Sequence, residues 1–372
     1  MKYLLSFHNQ QGMNNIIPIA EELRENILNE VALLDLSPAY SQPENNISSL
    51  KNISLIVENS IYKNVRNLSR INKLFFYLTK FLRINKLANH YDVYIFSPGG
   101  FFEGLISKHF IKKSKKTYFI EAGIKIYLFL SSQESLKPKK NFLKYVSGYF
   151  TTGETPRNKL VNFTNINNKI YNYGVPRYSS IVSKYNNSKP FEPKKIINLL
   201  YLTSASKYHK VGWEDAWQKE AIENLVNSSI IDQFILNIKV HPRDDLGNYK
   251  KYEKIEGVNI LYGTNIEKDI VENDCIISGP STSIHETSLL KKTYVTFWPF
   301  DNNENQYMPE ISMVKTIDNL ISKILKLHND LSFQNEVYSK QLILAKQYIN
   351  IDSDSSTNSI IKHIINENKE RY

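Results

Sequence analysis

The chain has 372 residues, 41% of them hydrophobic, and a formal net charge of +10 at pH 7. This length favours two domains of roughly 150–200 residues, and the apolar content excludes a mostly disordered chain. The single cysteine, Cys275, excludes an intramolecular disulfide and fits a reducing compartment. Since no window reaches the ~18 apolar residues of a membrane span, we expect a cytoplasmic protein or one that lies on a membrane face.

The first residues predict a strand, a polar turn, a helix and a second strand. Apolar runs at 2–7 and 31–36 flank a helical pattern at 16–28, which together predict a βαβ unit. Loops at the carboxyl ends of such strands line the ligand site, although an ordinary turn explains the pattern equally well. The candidate acceptor contacts are the polar residues of this turn, His8, Asn9 and Gln11.

The segment 63–86 is basic and contains no acidic residue, while aromatic and aliphatic residues are interleaved with its lysines and arginines. The pattern predicts an amphipathic helix that can rest on an anionic bilayer surface. The alternative is a surface helix whose apolar face packs into the core. The chain has no signature of a nucleic-acid recognition module, so we expect no nucleic-acid partner. The Asn- and Ser-rich stretch before this segment, 38–60, is predicted to be irregular.

A predicted strand at 117–120 ends at Glu121-Ala122-Gly123. An acid at a strand's carboxyl end, followed by a glycine turn, is where a general base would be placed; the alternative is a solvated turn carboxylate. Other strands are predicted at 91–96 and 169–173, with a helix at 101–111. A Ser-, Asn-, Lys- and Pro-rich linker then divides the chain. The predicted parts are a first domain at 1–178, a linker at 179–195, a second domain at 196–350 and a C-terminal helix at 351–372.

Three strands of the second half end in polar turns. Apolar runs at 196–202, 234–240 and 274–277 are typical of buried parallel strands. The last run leads through a small-residue turn into a helix, whose first N–H groups we expect to be unpaired and to favour a phosphate. The candidate nucleotide contacts are Thr203, Ser204, His241, Pro242, Gly279, Ser281, Thr282, Ser283 and Glu286. No Cys/His cluster has metal-ligand spacing, so we expect no metal.

The joint pattern resembles the glycosyltransferases of the GT-B architecture, which have two Rossmann-like α/β domains, a cleft between them and C-terminal helices. It looks most like the bacterial sialyltransferases and the related capsule and lipooligosaccharide transferases. Those families share an acid-acid-Gly turn, a His-Pro pair and a Ser-Ser or Ser-Thr turn. The matching residues are Glu121-Ala122-Gly123, His241-Pro242 and Ser281-Thr282.

The resemblance implies an inverting transfer of a sugar, with CMP-sialic acid as the favoured donor, to a cell-surface glycan or glycolipid without another cofactor. It implies that His241 contacts the donor phosphate and assists the leaving nucleotide. Ser281 and Thr282 would bind the same phosphate, and Glu286 would hold the ribose hydroxyls. Glu121 would be the base that deprotonates the acceptor, or would lie beside it.

One position departs from the family pattern, because the second acid of the first motif is Ala122. Glu121, His8 or Glu154 would then supply the base, or activity has been lost. Two other enzymes fit the same fold: a transferase that uses a UDP-sugar or a CDP-polyol, and a nucleotide-sugar 2-epimerase. A protein without enzymatic activity that binds membranes or polyanions would instead show steep salt dependence.

Overall fold

The computed structural model of the chain divides into two compact units. Unit 1 consists of Met1–Ser180 and Tyr348–Tyr372, and unit 2 consists of Ile181–Gln347. Each unit contains one parallel sheet. These sheets confirm the predicted α/β class with two Rossmann-like domains. The structure describes residues 1–36, 53–57, 79, 82–123, 143–185, 190–204, 216–242, 244–300, 310–350 and 356–369.

Unit 1 contains a seven-stranded sheet in the order β3-β2-β1-β4-β5-β6-β7. Its strands are β1 (Lys2–Phe7), β2 (Glu30–Asp35), β3 (Ser54–Val57), β4 (Val93–Phe96), β5 (Lys116–Ile120), β6 (Gly148–Phe150) and β7 (Ile170–Tyr171). Its first helices are α1 (Gln10–Glu25), α2 (Phe101–Lys112), α3 (Glu154–Thr164) and α4 (Pro176–Tyr185). The central strand β4 is fully buried, as its uninterrupted apolar sequence predicts.

Unit 2 contains a six-stranded sheet in the order β10-β9-β8-β11-β12-β13. Its strands are β8 (Asn198–Leu202), β9 (Ile235–Lys239), β10 (Val258–Leu261), β11 (Cys275–Ser278), β12 (Thr293–Phe297) and β13 (Met313–Val314). Its helices are α5 (Ala216–Asn227), α6 (Ile266–Glu272), α7 (Ser283–Leu289), α8 (Ile317–Asn329) and α9 (Leu331–Tyr348).

In both sheets the chain adds strands on one side of the first strand and then changes to the other side. These changes of side position the candidate sites. In unit 1 the chain fills one side of β1 with β2 and β3, then crosses to β4 on the other side. In unit 2 it fills one side of β8 with β9 and β10, then crosses to β11. Ligands of open α/β sheets bind outside the carboxyl ends of the strands at such a switch point. The switch points therefore lie between β1 and β4 and between β8 and β11.

The helix α10 (Ser356–Lys369) brings the chain back to unit 1. Its residues Ile360 and Ile364 are fully buried. Its His363 ring lies 4.3 Å from the ring of Tyr171, measured between centroids. The predicted C-terminal helix is thus packed into unit 1, because the apolar face of α10 is buried there. The predicted linker 179–195 also begins inside a helix, since α4 continues to Tyr185.

Several element boundaries differ from the predictions. Helix α1 begins at Gln10 rather than near 16, because the Asn9 side chain accepts a hydrogen bond of 2.8 Å from the Gly12 N–H and caps the helix. The stretch 38–60, predicted to be irregular, contains β3. Strands β10 and β12 are found in segments that no predicted strand covered.

The membrane prediction for 63–86 falls largely outside the described residues. Thr79 and residues 82–90 are helical, and the description leaves out the rest of the segment's apolar and basic residues before 82. Within the part of the chain that is described, no helix is both long enough and apolar enough to cross a membrane. The membrane-surface role stays a prediction.

Candidate functional site

The ends of β8 and β9 in unit 2 are joined through Thr203. Its buried side-chain Oγ1 accepts a hydrogen bond of 2.9 Å from the backbone N–H of His241. The Thr203 N–H in turn donates to the carbonyl of Lys239 at 3.0 Å. The His241-Pro242 turn is therefore held against the first residue after β8, with Pro242 exposed and His241 partly exposed.

Ser204 is clamped by Gln218, a residue of α5 that the sequence analysis missed. The Gln218 Oε1 accepts from the Ser204 N–H at 2.9 Å and from its hydroxyl at 3.2 Å, while the Gln218 Nε2 donates to the Ser204 carbonyl at 2.9 Å. Gln218 is 1% exposed. A polar residue beside Trp217, on the buried face of a helical pattern, was the available signal. A buried amide with these partners fixes the turn after β8.

The turn after β11 begins with a close approach of backbone and ring. A Cβ added to Gly279 would lie 2.6 Å from Cη2 of Trp217. Because Gly279 has no side chain, the backbone of the turn can pack directly against the indole ring. Gly279 therefore has a packing role. Gly279 itself is buried.

The hydroxyl residues after Gly279 bond to one another. The Ser283 hydroxyl donates to Ser281 Oγ at 2.8 Å, and the Ser283 N–H donates to the same oxygen at 3.3 Å. The N–H groups of Ile284 and His285 donate to the carbonyls of Ser281 and Thr282. The prediction that the first N–H groups of this helix are unpaired is therefore wrong for residues 283–285. Residues 281–283 are each partly exposed.

The two motifs of unit 2 lie at one edge of its sheet. β8 separates β9 from β11, and neighbouring strands are about 4.8 Å apart, so the carboxyl ends of β9 and β11 lie about 10 Å apart. The turn Thr203–Ser204 lies between them. His241, Thr203 and Ser281 therefore follow three neighbouring strands at the same edge of the sheet, and their joint role in one site stays a prediction.

Glu286 and His285 lie beneath this turn rather than on its surface. Glu286 is 3% exposed and His285 is fully buried. Burial lowers the pKa of His285 to about 3, because the apolar surroundings disfavour the charged imidazole. His285 is therefore neutral at physiological pH. The contact of Glu286 with ribose hydroxyls stays a prediction. Its side chain is nearly enclosed by the fold.

Glu121 of unit 1 is fully buried at the end of β5. Its Oε1 accepts from the Tyr149 hydroxyl at 2.9 Å and its Oε2 from the Thr152 N–H at 3.3 Å. The alternative of a solvated turn carboxylate is therefore wrong, because the structure encloses this group. Its carboxylate joins the ends of β5 and β6, and its role as base stays a prediction.

Asn15 connects three segments at the carboxyl edge of the unit 1 sheet. Its buried amide donates to Ser97 Oγ at 3.2 Å and to the Glu121 carbonyl at 2.9 Å. Its Oδ1 accepts from the Arg177 N–H at 3.0 Å. The ends of β4 and β5 and the start of α4 are thus held together by one side chain, which sets the geometry around the switch point.

The candidate acceptor residues after β1 have three different positions. The ring of His8 bonds to Glu103 of α2, with 2.5 Å between Nδ1 and Oε1. Asn9 caps α1 through its side chain, and Gln11 is an exposed residue of that helix. Of the three, His8 alone lies at the switch point with a titratable partner. Glu103 escaped the sequence analysis because it lies 95 residues away inside an ordinary helical pattern.

Glu154, the other proposed substitute base, begins α3 at the protein surface. Its side chain is 53% exposed and lies 3.5 Å from the Arg157 guanidinium, measured from Oε1 to Nη1. It also accepts a hydrogen bond from the Asn172 amide. These contacts, together with the helix dipole, which favours an acid in the first turn, explain why Glu154 lies exposed at this position.

Metal ligands and thiol chemistry find no support in the described part of the chain. No group of three or more His, Cys, Asp or Glu residues there could hold a metal ion, and the Asp352-Ser353-Asp354 sequence lies outside it. Burial raises the pKa of the Cys275 thiol to about 12.

An open cavity of about 530 Å³ in unit 2 is lined by residues such as Asn198, Asn237 and Asn259, and by none of the predicted site residues.

Compared by sequence, the chain matches no protein-family model and no curated protein. Compared by structure, it is similar to a UDP-GlcNAc 2-epimerase from Neisseria meningitidis bound to UDP-GlcNAc. The identity is 13% and the TM-score 0.67, over 98% of this chain and 100% of that one.

Two further solved structures are similar over nearly the whole chain. One is the Methanocaldococcus jannaschii UDP-GlcNAc 2-epimerase in complex with UDP-GlcNAc and UDP, at 15% identity and a TM-score of 0.60, covering 98% of this chain and 99% of that one. The other is the wall teichoic acid polymerase TagF soaked with CDPG, at 12% identity and a TM-score of 0.63, covering 100% and 89%. At these identities the likeness shows the fold, which is GT-B-like.

Proposed function

We propose that this protein is an inverting transferase that moves a group from a nucleotide-activated donor to a hydroxyl of a cell-surface glycan or glycolipid. The observation that supports it best is that His241, Thr203 and the 281–283 hydroxyls follow three neighbouring strands of the unit 2 sheet, with the His241 turn bonded to Thr203. Open α/β sheets bind their ligands at such a point. The nucleotide of the donor binds there.

The chemistry of this edge suits a departing phosphate. When the donor bond breaks, negative charge develops on phosphate oxygens, and fixed donors stabilise it without having to reorganise. The hydroxyls of the partly exposed residues Ser281 and Thr282 and the imidazole of His241 supply such donors. The clamp of Gln218 on Ser204 and the bond from His241 to Thr203 hold the turns in place before the donor arrives.

A UDP-sugar or a CDP-polyol is the preferred donor in this proposal. Structures with the same fold are described as bound to UDP-GlcNAc and as soaked with CDPG. CMP-sialic acid is supported by the sequence motifs alone and becomes one arm of the test. An acceptor at an anionic membrane surface would fit the basic segment 63–86.

A nucleotide-sugar 2-epimerase is the second candidate. It is favoured by the two epimerase structures, each similar over 98% of this chain. An epimerase converts its nucleotide sugar with no acceptor present, whereas a transferase consumes the donor and releases the nucleotide.

A panel of UDP-, CDP- and CMP-activated donors tests both candidates, with products followed by NMR with and without glycan acceptors. Release of UDP from a UDP-sugar, or of CMP from a CDP-polyol or a CMP-sugar, with transfer or hydrolysis supports the transferase, and an epimerised nucleotide sugar supports the second candidate. Failure to convert any donor contradicts both.

A binding experiment isolates the nucleotide site. UDP, CDP and CMP are added separately, and the rise in Tm identifies the base that is recognised. Ser281→Ala should reduce that rise, because it removes a hydroxyl at the switch point. Lys340→Ala, an exposed change on α9, is the control and should leave the rise unchanged. An equal rise in both variants would remove the turn after β11 from the site.

A further inference from the structure

The switch point of unit 1 contains an imidazole–carboxylate pair. His8 directly follows β1, and Glu103 lies in the first turn of α2, which follows β4. β1 and β4 are the neighbouring strands between which the chain order reverses. The two side chains therefore meet at the point where open α/β sheets bind their ligands.

Burial divides the two partners into an inner and an outer group. The Glu103 side chain is 0% exposed, whereas the His8 side chain is 23% exposed. His8 Nδ1 and Glu103 Oε1 lie 2.5 Å apart. A carboxylate bonded to Nδ1 keeps the ring proton of a neutral imidazole on that nitrogen and leaves the lone pair on Nε2. The enclosed acid thus orients a ring that solvent and substrate can reach.

The second oxygen of the carboxylate is buried and finds no hydrogen-bond partner among the described residues. It lies against Gly100, where an added Cβ would stand 2.6 Å from Oε2 and 3.4 Å from His8 Cε1. Glycine is needed here for space. A buried carboxylate oxygen without a partner costs free energy of folding, so its presence here calls for an explanation such as a catalytic role.

Two other acids of unit 1 and the histidine of α2 are used differently. Both oxygens of Glu121 accept hydrogen bonds within the fold, and the residue is fully buried. Glu154 lies exposed at the start of α3. His109 of α2 directs its Nδ1 to the carbonyl of Leu105, within its own helix. Among these groups, the pair at the switch point combines an orienting acid with an accessible ring.

We propose that His8 is the catalytic base of unit 1 and that Glu103 is its positioning residue, an inference that rests on the transferase function proposed above. The acceptor's O–H bond breaks and its proton passes to His8 Nε2. With a UDP-sugar, the electron pair on the acceptor oxygen forms the bond to the anomeric carbon, and the bond from that carbon to the phosphate oxygen breaks, its electron pair leaving with UDP. With a CDP-polyol, the same electron pair forms a bond to the phosphorus that carries the polyol, and the bond from that phosphorus to the oxygen of CMP breaks, its electron pair leaving with CMP. His8 supplies the base that the Ala122 position lacks.

The experiment compares wild type with His8→Gln and Glu103→Gln in single-turnover and steady-state transfer. His8→Gln should lower kcat by about 10²–10⁴, the range for losing a general base, while the Tm rise caused by UDP or CDP stays within error. Glu103→Gln should lower kcat less, and Glu103→Asp should recover part of the loss. Added imidazole should partly restore a His8→Ala variant, which a purely structural histidine would not show. His109→Gln is the matched control.

Each outcome decides a separate point. Normal transfer by His8→Gln overturns the base assignment and leaves the transferase proposal standing. A fall in kcat that occurs only together with lost nucleotide binding or lost folding, without imidazole rescue, also overturns it. If wild type converts a UDP-sugar only into its epimer, or converts no donor at all, the transferase proposal fails and the base role fails with it.

Discussion

The two switch points have the same topology and different chemistry. Between β1 and β4, unit 1 places a titratable pair, His8 with Glu103. Between β8 and β11, unit 2 places hydroxyls, a buried amide clamp and the His241 turn. A site that moves a proton needs a group that changes charge, whereas a site that holds a phosphate needs fixed donors. In the proposed function, proton transfer therefore belongs to unit 1 and nucleotide binding to unit 2.

Among the changes in unit 2, the largest effect should come from His241→Ala. We expect kcat/KM to fall by about 10²–10³, because one donor to the transition-state phosphate is lost. Donor titrations in steady state measure it, with Lys340→Ala as the control. If the kinetics are unchanged, His241 is not part of the site and the assignment of unit 2 is broken.

The glycines at the two edges should differ in stability when they are replaced by alanine. A Cβ at Gly12 would lie 2.1 Å from the backbone oxygen of Ser97, whereas at Gly279 it meets the rim of the Trp217 ring. A backbone atom cannot move away as a side chain can. Gly12→Ala should therefore lower the free energy of unfolding by about 1–3 kcal/mol, and Gly279→Ala should lower it less. Urea unfolding gives both values. A larger loss at Gly279 would mean that the edge of unit 1 is the more adaptable of the two.

The free energy of unfolding should fall as the pH is lowered, because of His285 in unit 2. Its folded pKa is lowered to about 3 from 6.5, so below pH 6.5 the unfolded chain takes up a proton that the folded chain does not. The free energy of unfolding should fall by about 1.5 kcal/mol between pH 6.5 and 5 from this group alone. In His285→Leu that part of the slope should disappear, as unfolding curves at several pH values would show. An unchanged slope would assign the pH dependence to other groups.

The smallest effect should come from Glu154→Gln. The group is half exposed and paired with Arg157 at the surface, and such pairs contribute little. We expect kcat/KM to change by less than about twofold and stability by less than about 1 kcal/mol. A large loss of kcat would make Glu154, rather than His8, the base, and would move proton transfer away from the switch point of unit 1.

Most of the fold could be predicted from the sequence because its strands are short, apolar and followed by turn residues. Two of the strands that were not predicted, β3 and β10, lack that contrast, whereas β12 has an apolar sequence and was missed. β3 lies in an Asn- and Ser-rich stretch, and the β10 sequence contains Asn259 and is partly exposed. The early start of α1 was in principle visible, since Asn9 is a strong capping residue.

The site was only partly predictable, because its contacts connect distant residues. His241, Thr203 and Ser281 could be proposed as candidates, because the first two directly follow apolar runs and Ser281 lies in the small-residue turn after another. Glu103 and Gln218 could not be found as site residues, because both lie within helical patterns and gain their roles from strand order. Glu121 shows the reverse case, where a suggestive turn position proved to be enclosed once β6 paired beside β5.

The return of α10 to unit 1 affects the order in which the chain can fold as it leaves the ribosome. Unit 2 is one continuous stretch and emerges whole, whereas unit 1 consists of residues from both sides of it. The aromatic surface formed by Tyr118, Phe150 and Tyr171 remains uncovered by His363 until α10 has been synthesised. The part of the protein made first is therefore the part completed last, and a nascent chain stalled before residue 356 would leave that surface open to chaperones.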